Sequence, residues 1–280
     1  MIDLHTHTTA SDGRCTPTEL VAHASAAGVT VLSVTDHDTV AACDAVELAC
    51  STLGLAFVPG IEVTAVRDGG DVHVLGYFFD RRSPALLGFL AEQRQRRVDR
   101  VRQMIDRLLA HGIRLDAEAI LKPGLEDPGA SVGRPWIARA LVSAGYVATT
   151  NEAFDRWLSR GQPAFVPRAG APPEEVFERI HEAGGVASLA HPVLVEHDEW
   201  IPGFAAAGLD ALEAYHSDHG WDDTARYLAL AERLGLVVSG GSDYHADESH
   251  GAGEPGSVSL PPERFEILAQ RAGRSRPPSG

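Results

Sequence analysis

Histidine and acidic residues in this chain fall at or beside the ends of short β-rich runs, one run after another, and that placement constrains the fold more than any other feature. The runs are Ile2 to His5, Val29 to Thr35, Ala56 to Val63, Asp71 to Phe79, Gly185 to Ala190, Leu209 to Tyr215 and Leu236 to Ser239. Helical stretches lie between them, near residues 18–27, 40–53, 173–183 and 224–234. The first is announced by Thr16-Pro17-Thr18-Glu19 and stopped by Gly28. This alternation predicts an α/β architecture with parallel strands. Parallel barrels build their sites from the loops at the C-terminal strand ends. The sequence therefore predicts one mouth that gathers His5, His7 and Asp12, then Asp36, His37 and Asp38, then Glu62, His73, His191, Glu213, Tyr215, His216, Asp243 and His245.

The alternation breaks after the fourth run. Residues 83–164 read as helical, most clearly from Gln93 to His111, where Val98, Val101, Ile105, Leu108 and Leu109 recur at helical spacing before Gly112. We expect a discontinuous barrel, residues 1–82 and 165–270, with a helical, Arg-rich insert at 83–164 and a disordered tail at 271–280 (RAGRSRPPSG) that lacks apolar anchors.

Charge is distributed unevenly. The formal net charge is −15, yet residues 94–168 carry 13 Lys and Arg against 8 Asp and Glu. A basic segment beside an acidic mouth suits a small anionic substrate, whereas a surface this acidic suits long duplex nucleic acid poorly. No apolar run approaches the roughly 20 residues that span a bilayer, and residues 1–12 show no basic stretch followed by an apolar one. Cys15, Cys43 and Cys50 form no CxxC pair, which argues for reduced thiols and a cytoplasmic location.

His-x-His at a strand end puts both imidazoles on one side of the chain. Imidazoles mixed with carboxylates suit Zn, Mn or Fe, and a carboxylate such as Glu62 can join two cations, an arrangement that fits phosphate-ester hydrolysis. Each residue also has an ordinary reading. His73 within Val72-His73-Val74-Leu75 could be a satisfied core histidine, and His191 before Pro192 could cap a strand. Their conjunction on successive strands carries the case. There is no GxSxG elbow, no P-loop and no cysteine placed beside a histidine as a nucleophile.

Asp3-Leu4-His5-Thr6-His7-Thr8 with Ser11-Asp12-Gly13, Thr35-Asp36-His37-Asp38, Gly60-Ile61-Glu62, Ala190-His191-Pro192 and Gly241-Ser242-Asp243-Tyr244-His245 together resemble the PHP (polymerase and histidinol phosphatase) family. Gly133-Arg134-Pro135 and Glu213-Ala214-Tyr215-His216 are similar to its stand-alone phosphoesterases, which include nucleoside 3′,5′-bisphosphate phosphatases and 5′-to-3′ exonucleases on short RNA. The resemblance implies a distorted seven-stranded, TIM-like (β/α) barrel and two or three divalent metal ions (Mn, Fe or Zn). It implies one metal on His5, His7, Glu62 and Asp243, and a second on Glu62, His73 and His191. Asp12, His37 and His245 would hold the third. It also implies a phosphate grip at Arg134, to which we add Arg160 and Arg168 as candidates. Trp136 stands where the family pattern leads us to expect histidine, and its indole could stack on a nucleobase.

The expected substrate is a small nucleotide, a 3′,5′-bisphosphate losing its 3′-phosphate or a 5′-phosphorylated short RNA, attacked by a hydroxide between two metals. Asp38 or His216 is expected to protonate the leaving oxygen, and His219 to contact substrate. Alternatives are a histidinol-phosphate phosphatase, an amidohydrolase-type enzyme acting on a C–N bond, and a non-catalytic metal-binding module. Against the amidohydrolase, Lys122 is the only lysine and lies in the helical segment.

Overall fold

A computed structural model describes residues 1–126, 129–247 and 253–273. Seven strands form one sheet in chain order: β1 (Ile2–Asp3), β2 (Val31–Val34), β3 (Ala56–Arg67), β4 (Gly70–Tyr77), β5 (Val186–Leu189), β6 (Ala211–Tyr215) and β7 (Val237–Gly240). Helix α1 (Pro17–Ala26) follows β1 and α2 (Cys43–Leu53) follows β2. The expected cap of α1 is reciprocal: Glu19 accepts from the Thr16 backbone and donates its own N–H to the Thr16 hydroxyl. Helix α7 (Pro173–Glu182) precedes β5, α8 (Pro192–Val195) and α9 (Ile201–Ala206) follow it, and α10 (Trp221–Leu234) joins β6 to β7.

The parallel expectation fails at one strand. β1–β2–β3 and β5–β6–β7 are parallel, but β4 runs antiparallel to both β3 and β5. The cause is local: Arg67 pairs with Gly70, so only Asp68-Gly69 connects the strands, both at positive φ (49° and 74°). A two-residue turn of this kind makes a hairpin, while a parallel crossover needs a dozen or more residues. The reversal matters for the site. His73 sits near the start of β4, opposite Thr64, and reversal brings that start to the same rim as the ends of the other strands.

The barrel closes between β7 and β1 by separate contacts. The Leu4 N–H donates to Gly240 O (3.3 Å), His7 N–H donates to Tyr244 O (2.9 Å), and Thr6 bridges Tyr244. Leu4, Ile61, Leu75, Tyr77, Phe177 and Phe204 belong to the buried barrel core. Helix α11 (Pro262–Arg271), which the sequence reading did not predict, packs on β7. It extends order into the expected tail: Arg271 donates to Gly235 O at 2.9 Å, and residues 274–280 of that tail lie outside the described residues.

Between β4 and β5 run α3 (Pro84–Ala110), α4 (Ala117–Glu126), α5 (Arg134–Ser143), α6 (Thr150–Ala153) and a π-helical turn at Phe154–Leu158. They enclose a second core of Val101, Met104, Leu108, Ile137, Leu141 and Leu158. We propose 83–164 as a separately packed insert on that basis, although α3 is shared. Its first turns give Leu86, Phe89 and Leu90 to the barrel core, and its later turns give Val98 onward to the second.

A buried ion pair fastens α3 to the rim. Arg97 pairs with Asp38 and donates to Thr64 Oγ1 (2.8 Å), and Asp38 Oδ1 accepts the Thr64 N–H (3.0 Å). Removing one partner of a buried pair strands the other charge, at a cost of about 3–5 kcal/mol. Arg97→Met is expected to lose about that much stability in urea unfolding. An unchanged midpoint would show that the pair contributes nothing.

Candidate metal centre

Side-chain alternation along the extension of β1 sends His5 and His7 inward. Thr6, between them, donates its hydroxyl to Ser33 O (2.7 Å). Two fully buried carboxylates shape the surrounding loops. Asp36 accepts from Thr8 N–H (2.8 Å), the Thr8 hydroxyl and the Ser11 hydroxyl (both 2.6 Å). Asp3 accepts from Ser242 N–H (2.9 Å), Ser242 Oγ (2.6 Å) and Gly256 N–H (2.7 Å), tying the strand ends together. Gly241 is required by close approach, since a Cβ there would collide with His5 N and Cβ. Asp38, His191 and Asp243 turn at positive φ (52°, 24° and 55°), strain that the surrounding contacts must hold.

The nine predicted metal ligands converge. Glu62 lies at the centre, 1% exposed. Its Oε1 is 2.6 Å from His73 Nδ1 and 3.1 Å from His191 Nε2. Its Oε2 is 3.4 Å from His5 Nε2, 3.2 Å from His7 Nε2 and 3.2 Å from His37 Nδ1. Asp243 Oδ1 stands 3.2 Å from both His5 Nε2 and His7 Nε2. Asp12 is 3.5 Å from His37 Nε2 and 3.3 Å from His245 Nε2. Among the described residues, donor atoms group within 4.8 Å of one another as His7-Asp12-His37-His245, His5-Glu62-His191, His37-Glu62-His73 and His5-His216-Asp243.

This donor set fits cations. Both nitrogens of His7 and Asp243 Oδ1 are buried without a hydrogen-bond partner, although His7 Nε2 faces Asp243 Oδ1 across 3.2 Å and His7 Nδ1 lies 3.7 Å from Asp12. Buried polar atoms rarely go unpaired, and nitrogen and oxygen atoms aimed at a common point are what a divalent ion satisfies. Tautomers agree. His5 Nδ1 faces Glu213 Oε1 at 3.0 Å and His245 Nδ1 faces Asp243 O at 2.8 Å, so each donates from Nδ1 and presents a lone pair at Nε2. Glu213, which also accepts the His191 N–H (2.7 Å), was noted in the sequence only as a strand-end acid. Its role needed the β5–β6 register to become visible.

His216 differs. Its Nδ1 accepts the Asp218 N–H (3.1 Å), so the neutral ring carries its proton on Nε2, which lies 3.4 Å from Asp243 Oδ2. The same Nε2 belongs to the His5-His216-Asp243 group of donor atoms. Two expectations are corrected. Asp38 has one oxygen on Arg97 and the other on the Thr64 N–H, so neither is left to serve a leaving oxygen. His219 has Nδ1 on Ala214 O (3.0 Å) and its ring 5.4 Å from His216 and 5.0 Å from Tyr227, and it joins none of the donor groups. The indole of Trp136 is also tied down: its N–H donates to Ser11 O at 2.8 Å, and the ring packs against the second core.

Arg134 and Arg168 do approach the site. Arg134 Nη2 is 3.6 Å and Arg168 Nε 3.3 Å from Asp71, two residues before His73. Burial lowers both guanidiniums, Arg168 to about 10, and Arg97 adds repulsion. Asp71 is driven the other way: burial would raise it, but Arg168, His73 and Arg134 hold it well below the ordinary range. Arg160 stands farther out, donating to Gly69 O (2.9 Å) along a cleft of about 510 Å³ that also contains Arg134, Asp71, Leu194 and Trp200.

Proton occupancy follows the same field. Burial opposes charge on His7, yet Asp243 and Glu62 outweigh it and hold its pKa up at about 10. His5 and His191 are raised for the same reason, against burial. Without cations these imidazoles therefore keep protons that a cation must displace. Affinity for Mn²⁺ is expected to rise with pH up to about 10, with proton uptake by buffer in titration calorimetry. Binding without proton release would contradict protonated ligands.

A PHP-domain family profile matches residues 3–119. A 5′-3′ exoribonuclease of Haemophilus influenzae is 36% identical over 250 residues, 87% of this chain and 89% of its own. A 3′,5′-nucleoside bisphosphate phosphatase of Chromobacterium violaceum is 34% identical over 93% of both chains. Two solved structures superpose closely. One, from Bifidobacterium adolescentis and named for metal-dependent phosphoesterase activity, has TM-score 0.87, 31% identity and coverage of 96% and 95%. The other, a Chromobacterium violaceum protein described as an amidohydrolase with bound sulfate, has TM-score 0.84, 33% identity and coverage of 96% of both chains. With these relatives and a Glu62-centred cluster built from all five motifs, the chain belongs to the PHP family of metal-dependent phosphoesterases.

Proposed function

We propose that this enzyme uses three divalent cations to hydrolyse the 3′-phosphate ester of a small nucleotide that also carries a 5′-phosphate: a nucleoside 3′,5′-bisphosphate or the 5′ end of a short RNA. The cations would be Mn, Fe or Zn, with Glu62 shared between two of them and Asp12, His37 and His245 around the third. The carrying observation is that Arg134 and Arg168 converge on Asp71, beside His73. A second phosphate held there would orient the ester toward Glu62, and such remote binding lowers the barrier to the reacting group. We place the enzyme in the cytoplasm, where three buried free thiols persist. Among the described residues no helix is long and apolar enough to cross a membrane.

Bound cations would supply Lewis acidity toward water and the phosphoryl oxygens. The chain supplies the rest. Glu213 fixes the His5 tautomer, and Arg134 and Arg168 neutralise the second phosphate as charge-assisted donors. His216 holds a proton on Nε2 at the centre's edge, the position from which a leaving oxygen can be protonated. The competing readings fit less well. Histidinol phosphate carries an ammonium that the arginine group would repel. Lys122 lies exposed on α4, paired with Glu126 at 3.6 Å, so it offers no carboxylated lysine for C–N chemistry.

Mn²⁺-loaded enzyme is expected to release phosphate rapidly from adenosine 3′,5′-bisphosphate, slowly from histidinol phosphate, and not at all in EDTA. Absence of turnover on any phosphate ester by metal-replete protein would refute the reading. Glu62→Gln should lower kcat by at least about 100-fold, the scale of losing a catalytic electrostatic group, together with metal content; full activity would remove Glu62 from the shared position. Arg134→Leu should raise KM for the bisphosphate about tenfold, the weight of one charge-assisted contact. KM for adenosine 3′-monophosphate should change little, and equal losses on both would deny a second-phosphate grip.

A further inference from the structure

The rim opposite Asp71 carries a second basic groove that the bisphosphate reaction leaves unused. Two cavities of about 560 and 550 Å³ share Arg14, Arg139 and Ser143 as lining residues and so adjoin. Each is of the size that takes a small-molecule ligand, about 300–1,000 Å³. They are bordered by Ser11 and Gly13, which flank Asp12, and by Ala246, which follows His245. The groove therefore starts at the Asp12–His245 edge of the metal centre. The arginine cleft starts at the His73 edge. Ring centroids step between them from His73 to His37 (5.0 Å), His37 to His7 (5.0 Å) and His7 to His245 (4.0 Å). Helix α5 contributes to both sides, Arg134 to the cleft and Arg139 and Ser143 to the groove.

Chemistry says what such a groove would hold. In a 3′,5′-bisphosphate the 3′-phosphorus carries only oxygens besides O3′. In a 5′-phosphorylated strand the same phosphorus also carries O5′ and every following nucleotide. If the 5′-phosphate sits at Arg134 and Arg168 in both substrates, the rest of the strand must leave the centre on the far side. Water oxygen bonds to phosphorus, the P–O3′ bond breaks and O3′ takes a proton. The products are a 5′-nucleotide and a strand bearing a new 5′-phosphate, so the same reaction can repeat.

We propose that the groove is the track for single-stranded nucleic acid 3′ of the scissile bond, with Arg14 and Arg139 on its phosphodiesters; this rests on the phosphoesterase reading above. Arg14 is half-exposed and its pair with Asp247 is loose, at 3.8 Å, a contact worth little in water and open to exchange for phosphate. Arg139 is anchored by donating to Asp12 O (3.3 Å), and its guanidinium lies 6.0 Å from the Trp136 ring, which fixes its position. Trp136 thus helps to place a groove arginine. The charged lining is Arg14 and Arg139 against Asp247, a positive balance on a chain of net charge −15.

The test compares kcat/KM for a 5′-phosphorylated oligoribonucleotide with kcat/KM for adenosine 3′,5′-bisphosphate on Mn²⁺-loaded enzyme. Arg14→Glu and, separately, Ser143→Glu on the exposed end of α5 should each lower that ratio tenfold or more. Binding is read independently by anisotropy, using an oligonucleotide whose first linkage has a methylene in place of O3′. Arg14→Glu should weaken it by a similar factor and reduce the salt slope by about 0.7, the contribution of one single-strand phosphate contact. Unchanged ratios and unchanged anisotropy in both variants would overturn the groove. Hydrolysis of the bisphosphate with no binding of the oligonucleotide would overturn it too, while leaving the phosphoesterase reading intact. Oligonucleotide binding that depends on Arg14, with no hydrolysis of either substrate, would keep the track and refute the phosphoesterase reading.

Discussion

Glu62 is one carboxylate facing five histidines, and the structure around it is arranged to make that tolerable. A lone buried carboxylate costs several kcal/mol in lost hydration. Here burial raises the pKa of Glu62, but His37, His73 and His5 reverse the effect and hold it well below the ordinary range. The histidines in turn need orientation, which explains the second layer of acids. Glu213 holds His5, Asp36 holds the Thr8–Ser11 loop, and Asp3 ties β1 to the segment after β7. Asp3, Asp12, Asp36, Asp38, Glu62 and Glu213 are thus buried around the mouth, where their charge is structural and not part of a solvated coat.

Gathering histidines from so many strands imposes a topological demand. His73 reaches Glu62 Oε1 only because β4 runs backward, which places its start beside the ends of its neighbours. The helical segment after β4 is then fastened to the same rim by several side chains. Arg97 grips Asp38, Trp136 donates to Ser11 O, and Arg139 donates to Asp12 O. Each anchor lands on a loop that carries a proposed ligand, so movement of these helices is coupled to the geometry of the centre.

The strands, most helices and the convergence of the nine residues proposed as ligands were legible in the sequence, because strand-end position and His-x-His alternation are local signals. The direction of β4 was also written locally, in Asp68-Gly69, but the strand–helix rhythm around it argued for the parallel arrangement. Side-chain assignments failed where register between distant elements decides. Asp38 adjoins a ligand in sequence and reads as an acid, yet α3 delivers Arg97 onto it. His216 and His219 read alike, and only their hydrogen bonds separate a proton held at the centre from a ring bonded to Ala214 O. Helix α11 went unread, as an amphipathic segment just before a polar tail gives little to distinguish it.

Asp71 shows how the arginines can be both preformed and releasable. Two guanidiniums with no counter-charge would repel each other and spread; burial and repulsion from Arg97 already depress Arg168 and Arg134. The carboxylate between them keeps the pair aimed at one place before substrate arrives. On the proposed function, a phosphate entering the cleft would compete with a charge already present, and would gain only the difference between two charge-assisted contacts. That difference limits ground-state affinity while leaving orientation intact. It is the balance that favours turnover, because binding a substrate as tightly as its transition state lowers KM without raising kcat.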